Sequence, residues 1–245
     1  MRRAADHVIP VQLELGGKSA NIVFSDANID VAAMWALIAI FTASGQICTA
    51  GSRLLLDNRV YEEFMDKLLE RTRGLRVGPG LENPDLGPVV SKAQMERVLN
   101  YIEVGKGEGA ALSIGGSRLT YGVLESGYFI APTIFSGVKS GMRISQEEIF
   151  GPVLSVLTFD DVDEALQIAN GTQYGLAAGV WTSNLRTAHY MAKNLEAGNV
   201  YVNRYFGAGL EAPAGSYKRS GIGPIGGTET LRHYTRLKNV ALNLD

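Results

Sequence analysis

The spacing of hydrophobic and polar positions changes several times along the chain, and each change predicts an element. Val11, Leu13 and Leu15 alternate with Gln12 and Glu14 until Gly16 and Gly17 interrupt them, which predicts a strand closing in a tight backbone turn. From 31 to about 44 the chain is apolar on nearly every side. Asp30 stands where an N-cap would and Gly45 where a helix stops, so the spacing predicts a helix of the interior. Cys48 follows, and Leu54, Leu55 and Leu56 form the next strand-like run. Tyr61, Phe64, Leu68 and Leu69 recur at helical spacing before Gly74. Ser91 with Gln94 is a capping-box signature ahead of Met95, Val98, Leu99 and Ile102. Two amphipathic helices are expected there, joined through a Gly- and Pro-rich surface loop at 78–88.

Further along, strand-like runs at 129–135, 153–159, 176–181 and 200–203 alternate with helical ones at 162–170 and 185–195. Such alternation defines an α/β domain with a substantially parallel sheet. At the end, Val240, Leu242 and Leu244 alternate with polar residues and read as an exposed terminal strand. An unpaired apolar edge of that kind takes a partner chain, so a homo-oligomer is expected. No internal repeat or low-complexity segment interrupts the pattern.

Composition narrows the function classes. Of 245 residues 46% are hydrophobic and 20% charged, enough to bury the core of one large domain. Lys and Arg number 23 against 25 Asp and Glu, with no stripe of either sign, which argues against nucleic acid as a partner. One cysteine forbids an internal disulfide, and His7, His189 and His233 are too dispersed to hold a metal with it. A reducing, cytoplasmic setting fits. The N-terminus lacks the apolar core of a signal peptide, and the longest apolar run, 31–41, falls short of the roughly 20 residues that span a bilayer. Gly221-Ile-Gly-Pro-Ile-Gly226 spells G-x-G-x-x-G but follows a polar run instead of a strand and contains Pro224. Gly17-Lys-Ser19 ends like a P-loop without its leading glycine. Neither is read as a phosphate cradle, and no G-x-S-x-G elbow offers a serine nucleophile.

Alone, Cys48 reads as an inert small hydrophobe and Glu14 as a solvated strand face. Their contexts change that. Leu13-Glu-Leu-Gly-Gly-Lys-Ser19 and Gly45-Gln-Ile-Cys-Thr-Ala-Gly-Ser-Arg53 resemble the aldehyde dehydrogenase superfamily. So do Glu147-Glu-Ile-Phe-Gly-Pro-Val153, Asn170-Gly-Thr-Gln-Tyr-Gly-Leu176, Gly198-Asn-Val-Tyr-Val-Asn203 and Tyr217-Lys-Arg-Ser-Gly-Ile-Gly223, in the family's order. The resemblance implies the catalytic domain of that fold: three layers, a largely parallel sheet flanked by helices, and a C-terminal strand for oligomerisation. It divides the chain into a stub of the cofactor-binding domain at 1–16, a catalytic domain at 17–217 and a tail at 218–245.

The implied activity is NAD- or NADP-dependent oxidation of a small-molecule aldehyde to a carboxylic acid. An aldehyde donates hydride poorly until a thiolate makes its carbon tetrahedral, which is the role implied for Cys48. The resulting thioester needs an activated water, and Glu14 is the implied general base. A thiol of pKa about 8.5 also requires electropositive or N–H surroundings to ionise at neutral pH. Glu148 resembles the residue that holds the nicotinamide ribose, and Phe150 the aromatic beside the nicotinamide. Leu15 and Gly16 let the backbone approach the cofactor, and Tyr205 and Phe206 fall where the family lines its aldehyde pocket.

Family members are about twice this long, so the chain looks like their catalytic half. The oxyanion-holding asparagine, a donor of a kind whose loss costs about 2.7–4 kcal/mol, and most of the NAD site are expected on a separate cofactor-binding half. Weak NAD binding by the chain alone follows. The family's usual Pro-Phe-Gly-Gly is here Pro213-Ala-Gly-Ser216, and its Gly-Arg-Glu is Gly223-Pro-Ile225, which affects contacts of the tail. Glu14 argues for hydrolysis over transfer to coenzyme A. A non-catalytic or truncated fragment and a residual cysteine esterase are the alternatives.

Overall fold

A computed structural model describes residues 1–207 and 209–245. The strands, in chain order, are β1 (Leu13–Glu14), β2 (Ala20–Val23), β3 (Arg53–Asp57), β4 (Ala111–Ile114), β5 (Thr133–Ser136), β6 (Val153–Phe159), β7 (Tyr174–Gly175), β8 (Ala177–Trp181), β9 (Asn199–Val202), β10 (Tyr217–Lys218) and β11 (Gly221–Ile222). The helices are α1 (Arg2–Asp6), α2 (Ile29–Phe41), α3 (Tyr61–Arg73), α4 (Lys92–Gly107), α5 (Arg143–Gln146), α6 (Val162–Asn170), α7 (Leu185–Asn194) and α8 (Glu229–His233).

Seven strands form one sheet in the order β4-β5-β6-β3-β2-β8-β9, parallel throughout except where β4 runs antiparallel to β5 at one edge. Helices cover both faces, which is why the central strands read as continuous apolar runs. Alternate strand residues serve the two layers. Leu54, Leu56, Leu154 and Val156 pack with α2 and α3, while Leu55, Val153, Leu157 and Phe135 pack with α4, α6 and α7. The three-layer α/β architecture expected from the sequence is the one observed.

Several boundaries differ for identifiable reasons. β2, an interior strand of the sheet between β3 and β8, was not foreseen, because the polar Ser19 and Asn21 interrupt its apolar run; Asn21 is buried and accepts from Trp181 Nε1 at 2.7 Å. The first predicted strand shrinks to β1, outside the main sheet and paired only with β11. α2 is capped by Asn28, whose Oδ1 accepts from Val31 N at 3.1 Å, and not by Asp30, which instead pairs with Lys67 at 2.8 Å. Nor is α2 fully interior: Val31 and Met34 are exposed, and its alanines face the sheet. The strand expected at 129–135 is confined to β5. The tail strand is not seen: beyond α8 the residues are exposed and have no ladder partner among the described residues, although Val240, Leu242 and Leu244 keep their alternation.

Candidate active site

Cys48 sits on the loop from α2 into β3. α2 ends at Phe41, and Ala43, Ser44 and Gly45 follow with φ of 51°, 57° and 72°. Two non-glycine residues in the left-handed region cost about 1–3 kcal/mol each, so neighbours must hold them. Ser44 Oγ donates to Gly87 O at 2.8 Å, Gln46 Nε2 donates to Ala43 O at 3.1 Å, and Gln46 Oε1 accepts from Val90 N at 2.8 Å. From the core side Tyr205, wholly buried, donates its hydroxyl to Thr49 O at 2.9 Å. The thiol is therefore carried, half-buried, on a loop fixed at both ends.

The opposite wall comes from β1. Glu14 lies across from Gly221 in the antiparallel ladder, and Leu15 N donates to Ser220 O at 2.9 Å. The chain then crosses tightly over the thiol loop. A methyl on Gly17 would lie 2.5 Å from Cys48 O, and one on Gly16 would collide with the Glu148 carboxylate. Bare backbone at both positions lets the carboxylate of 14, the thiol of 48 and the carboxylate of 148 converge. Gly17 N donates to Glu148 Oε1 at 3.1 Å. Glu14, exposed, accepts from Ser216 Oγ at 3.1 Å through Oε1.

Residues 148–150 are secured by α4. Ser91 caps that helix as expected, accepting from Gln94 N at 3.2 Å. The reciprocal half of the capping box is not made: Gln94 Nε2 donates instead to Ile149 O and Phe150 O, at 3.0 and 2.8 Å. Arg97 adds a bond to Glu148 O at 2.6 Å. These bonds hold Phe150 at φ 60°, where a side chain of its size seldom settles unaided.

Charge at the site runs against one expectation. Burial, then the charge of Glu14, push the Cys48 thiol up, and Glu148 adds to the rise; backbone N–H groups of Thr49 and Cys48 pull the other way. The surroundings therefore favour the thiol over the thiolate: burial disfavours the charge, and the charged groups acting on the sulfur are carboxylates. Burial also raises Glu148, opposed by the Gly17 N–H, Lys18 and Arg97.

Of the residues named from sequence, Cys48, Glu14, Gly16, Glu148 and Phe150 are brought together around the Gly17 crossing. Leu15 lies just outside it, half-exposed in a groove of about 470 Å³ with Leu13, Tyr174 and Ile222. Tyr205 does not line an open pocket, since it is spent supporting the thiol loop, while Phe206 packs edge-on against its ring at 5.0 Å. Sequence reasoning missed Lys18, Arg53 and Ser216. Arg53 is buried and ties Lys18 O to Ile168 O and Ala169 O at 2.7–2.8 Å, which seats the glycine turn on α6. An arginine opening the run Leu54-Leu-Leu56 was the available signal, because a charge entering a core strand must find several acceptors.

A parallel three-layer sheet with its one cysteine presented beneath a glycine turn defines an α/β domain of the thiol-bearing kind. Comparison with known proteins makes the class specific. The model of the Aldehyde dehydrogenase family matches residues 1–240, and the chain belongs to that family. Among solved structures, the NAD⁺ complex of aldehyde dehydrogenase from Bacillus cereus is 45% identical, with a TM-score of 0.95, over 100% of this chain and 49% of that one. Betaine aldehyde dehydrogenase from Staphylococcus aureus in complex with NAD⁺ is 39% identical, with a TM-score of 0.93, over 96% of this chain and 46% of that one. Indole-3-acetaldehyde dehydrogenase complexed with NAD⁺ is 46% identical, with a TM-score of 0.93, over 97% and 48%. The chain spans about half the length of these relatives. Among the described residues no helix is long and apolar enough to cross a membrane, and no group of three or more His, Cys, Asp or Glu could hold a metal.

Proposed function

We propose that this chain supplies the nucleophile and the general base of an NAD-dependent aldehyde oxidation to the carboxylic acid. The observation that carries this reading is the Gly17–Cys48 contact, which brings Glu14 within electrostatic reach of the sulfur. As thiolate, Cys48 adds to the aldehyde carbon, and the oxygen takes up the negative charge beside the backbone N–H groups of Cys48 and Thr49. A nicotinamide held beside that carbon would supply the hydride acceptor. Cys48 then carries a thioester, and Glu14 takes the proton of the water that cleaves it.

The residues present fit the nicotinamide end of the cofactor. Glu148 is partly desolvated and, among the described residues, its carboxylate accepts only from Gly17 N through Oε1, which would leave Oε2 to accept from a ribose hydroxyl. Phe150 would stand beside the ring, and the backbone of Leu15 and Gly16 would border it. The remainder of the site, and the choice between NAD and NADP, we assign to a cofactor-binding half outside these 245 residues. We further assign the alternating tail to pairing with a second copy, and a reducing, cytoplasmic setting to a chain whose one thiol must stay free. The test supplies the other half of a full-length relative in trans with a panel of aldehydes. Cofactor reduction accompanied by an acyl adduct on Cys48, seen by mass spectrometry, is expected; reduction that persists in Cys48→Ser overturns the assignment.

A further inference from the structure

Ser216 lies where the family usually has glycine, and its hydroxyl has found a definite partner. Its Oγ donates to Glu14 Oε1 at 3.1 Å, across 202 positions of sequence, and it is the only side chain among the described residues bonded to that carboxylate. We propose that Ser216 is a positioning residue for the general base: it selects the orientation of Glu14 that leaves Oε2 open to water. This rests on the assignment of Glu14 as base.

The backbone around Ser216 is clamped on both sides. Upstream, Ala214 and Ile225 exchange two hydrogen bonds at 2.7 and 2.8 Å. Downstream, β10 begins at Tyr217, opposite Gly175 of β7. Glu14 itself is fixed only at its backbone, by β11, and its side chain is exposed with three free torsions. A donor on a rigid segment therefore restrains a mobile carboxylate, and not the reverse. A glycine there supplies no such donor. In the step served, the water oxygen bonds the acyl carbon, its proton passes to Glu14 Oε2, and the C–S bond breaks to return the Cys48 thiolate. Ser216 keeps its own proton, which stays on the bond to Oε1. Its effect falls on deacylation, because Glu14 acts on attack by the thiol only through its charge, and that charge stays in place when Ser216 is replaced.

The test acylates Cys48 of the 245-residue chain with 4-nitrophenyl acetate and follows nitrophenolate release and the adduct mass separately. In Ser216→Ala and Ser216→Gly, loss of the adduct is expected to slow about fivefold, as befits one solvent-exposed hydrogen bond, with the acylation rate and melting temperature unchanged. Ser216→Thr should restore the rate. In a Glu14→Gln background the Ser216→Ala change should have no further effect. Deacylation at the parental rate in both variants, or an equal slowing that persists without Glu14, overturns the proposal while leaving the thiol chemistry intact. Absence of any adduct on the parent Cys48 would instead overturn the functional reading, and this inference with it.

Discussion

Lys18 is the residue whose replacement the structure predicts most sharply. Its side chain is 1% exposed, its Nζ has no hydrogen-bond partner among the described residues, and burial together with the neighbouring Arg53 holds its pKa at about 7 against an ordinary 10.5. Glu148 and Glu147 offset part of that effect. At 1.36 kcal/mol for each tenfold change in proton affinity, carrying this amine in the folded chain costs about 4 kcal/mol at neutral pH. The sign follows from proton counting. Between pH 7 and 10.5 the unfolded chain binds a proton that the folded chain does not, so stability rises with pH across that window and levels off above it. Lys18→Met keeps the length of the side chain and removes the charge. It should raise unfolding stability near pH 7 by a few kcal/mol and flatten the slope between pH 7 and 10, read by urea denaturation at four pH values. An unchanged slope, or a destabilised variant, would show that the ammonium is satisfied in place and that the reasoning is wrong.

Four other outcomes are expected. Glu14→Gln should act in opposite directions on two rates: alkylation of Cys48 by iodoacetamide at pH 7 quickens, since a charge that pushes the thiol up is gone, while hydrolysis of the acyl adduct slows by about 10²-fold or more. Parallel changes in both rates would contradict the division of roles. Gly17→Ala should destabilise the chain by about 1–3 kcal/mol, because its new methyl meets the backbone oxygen of Cys48. Gly16→Ala, which meets only the end of the Glu148 side chain, should keep its melting temperature yet weaken NAD binding once the partner half is supplied. Tyr205→Phe should cost about 0.5–1.5 kcal/mol for the lost bond to Thr49 O and should slow Cys48 acylation; acylation at the parental rate would mean that the loop needs no such support.

What the sequence determined by itself was whatever depends on neighbours along the chain. β6 and α6 follow directly from period, the surface loop from Gly and Pro, the capped start of α4 from Ser91, and the α/β class from alternation. The family was legible too, because the motifs around Cys48 and Glu14 are distinctive. Tertiary structure decided whatever needs a partner far along the chain. Ser19 and Asn21 hid β2, since a buried amide makes sense only once Trp181 is beside it. Gln94 looked like a capping residue until the 148–150 loop offered better acceptors. The tail kept a strand's alternation without forming one, because a ladder requires a second edge. Arg53, Lys18 and Ser216 gave no periodic signal at all: their roles come from acceptors more than 30 positions away, and from a desolvation that only packing on both faces of the sheet can create.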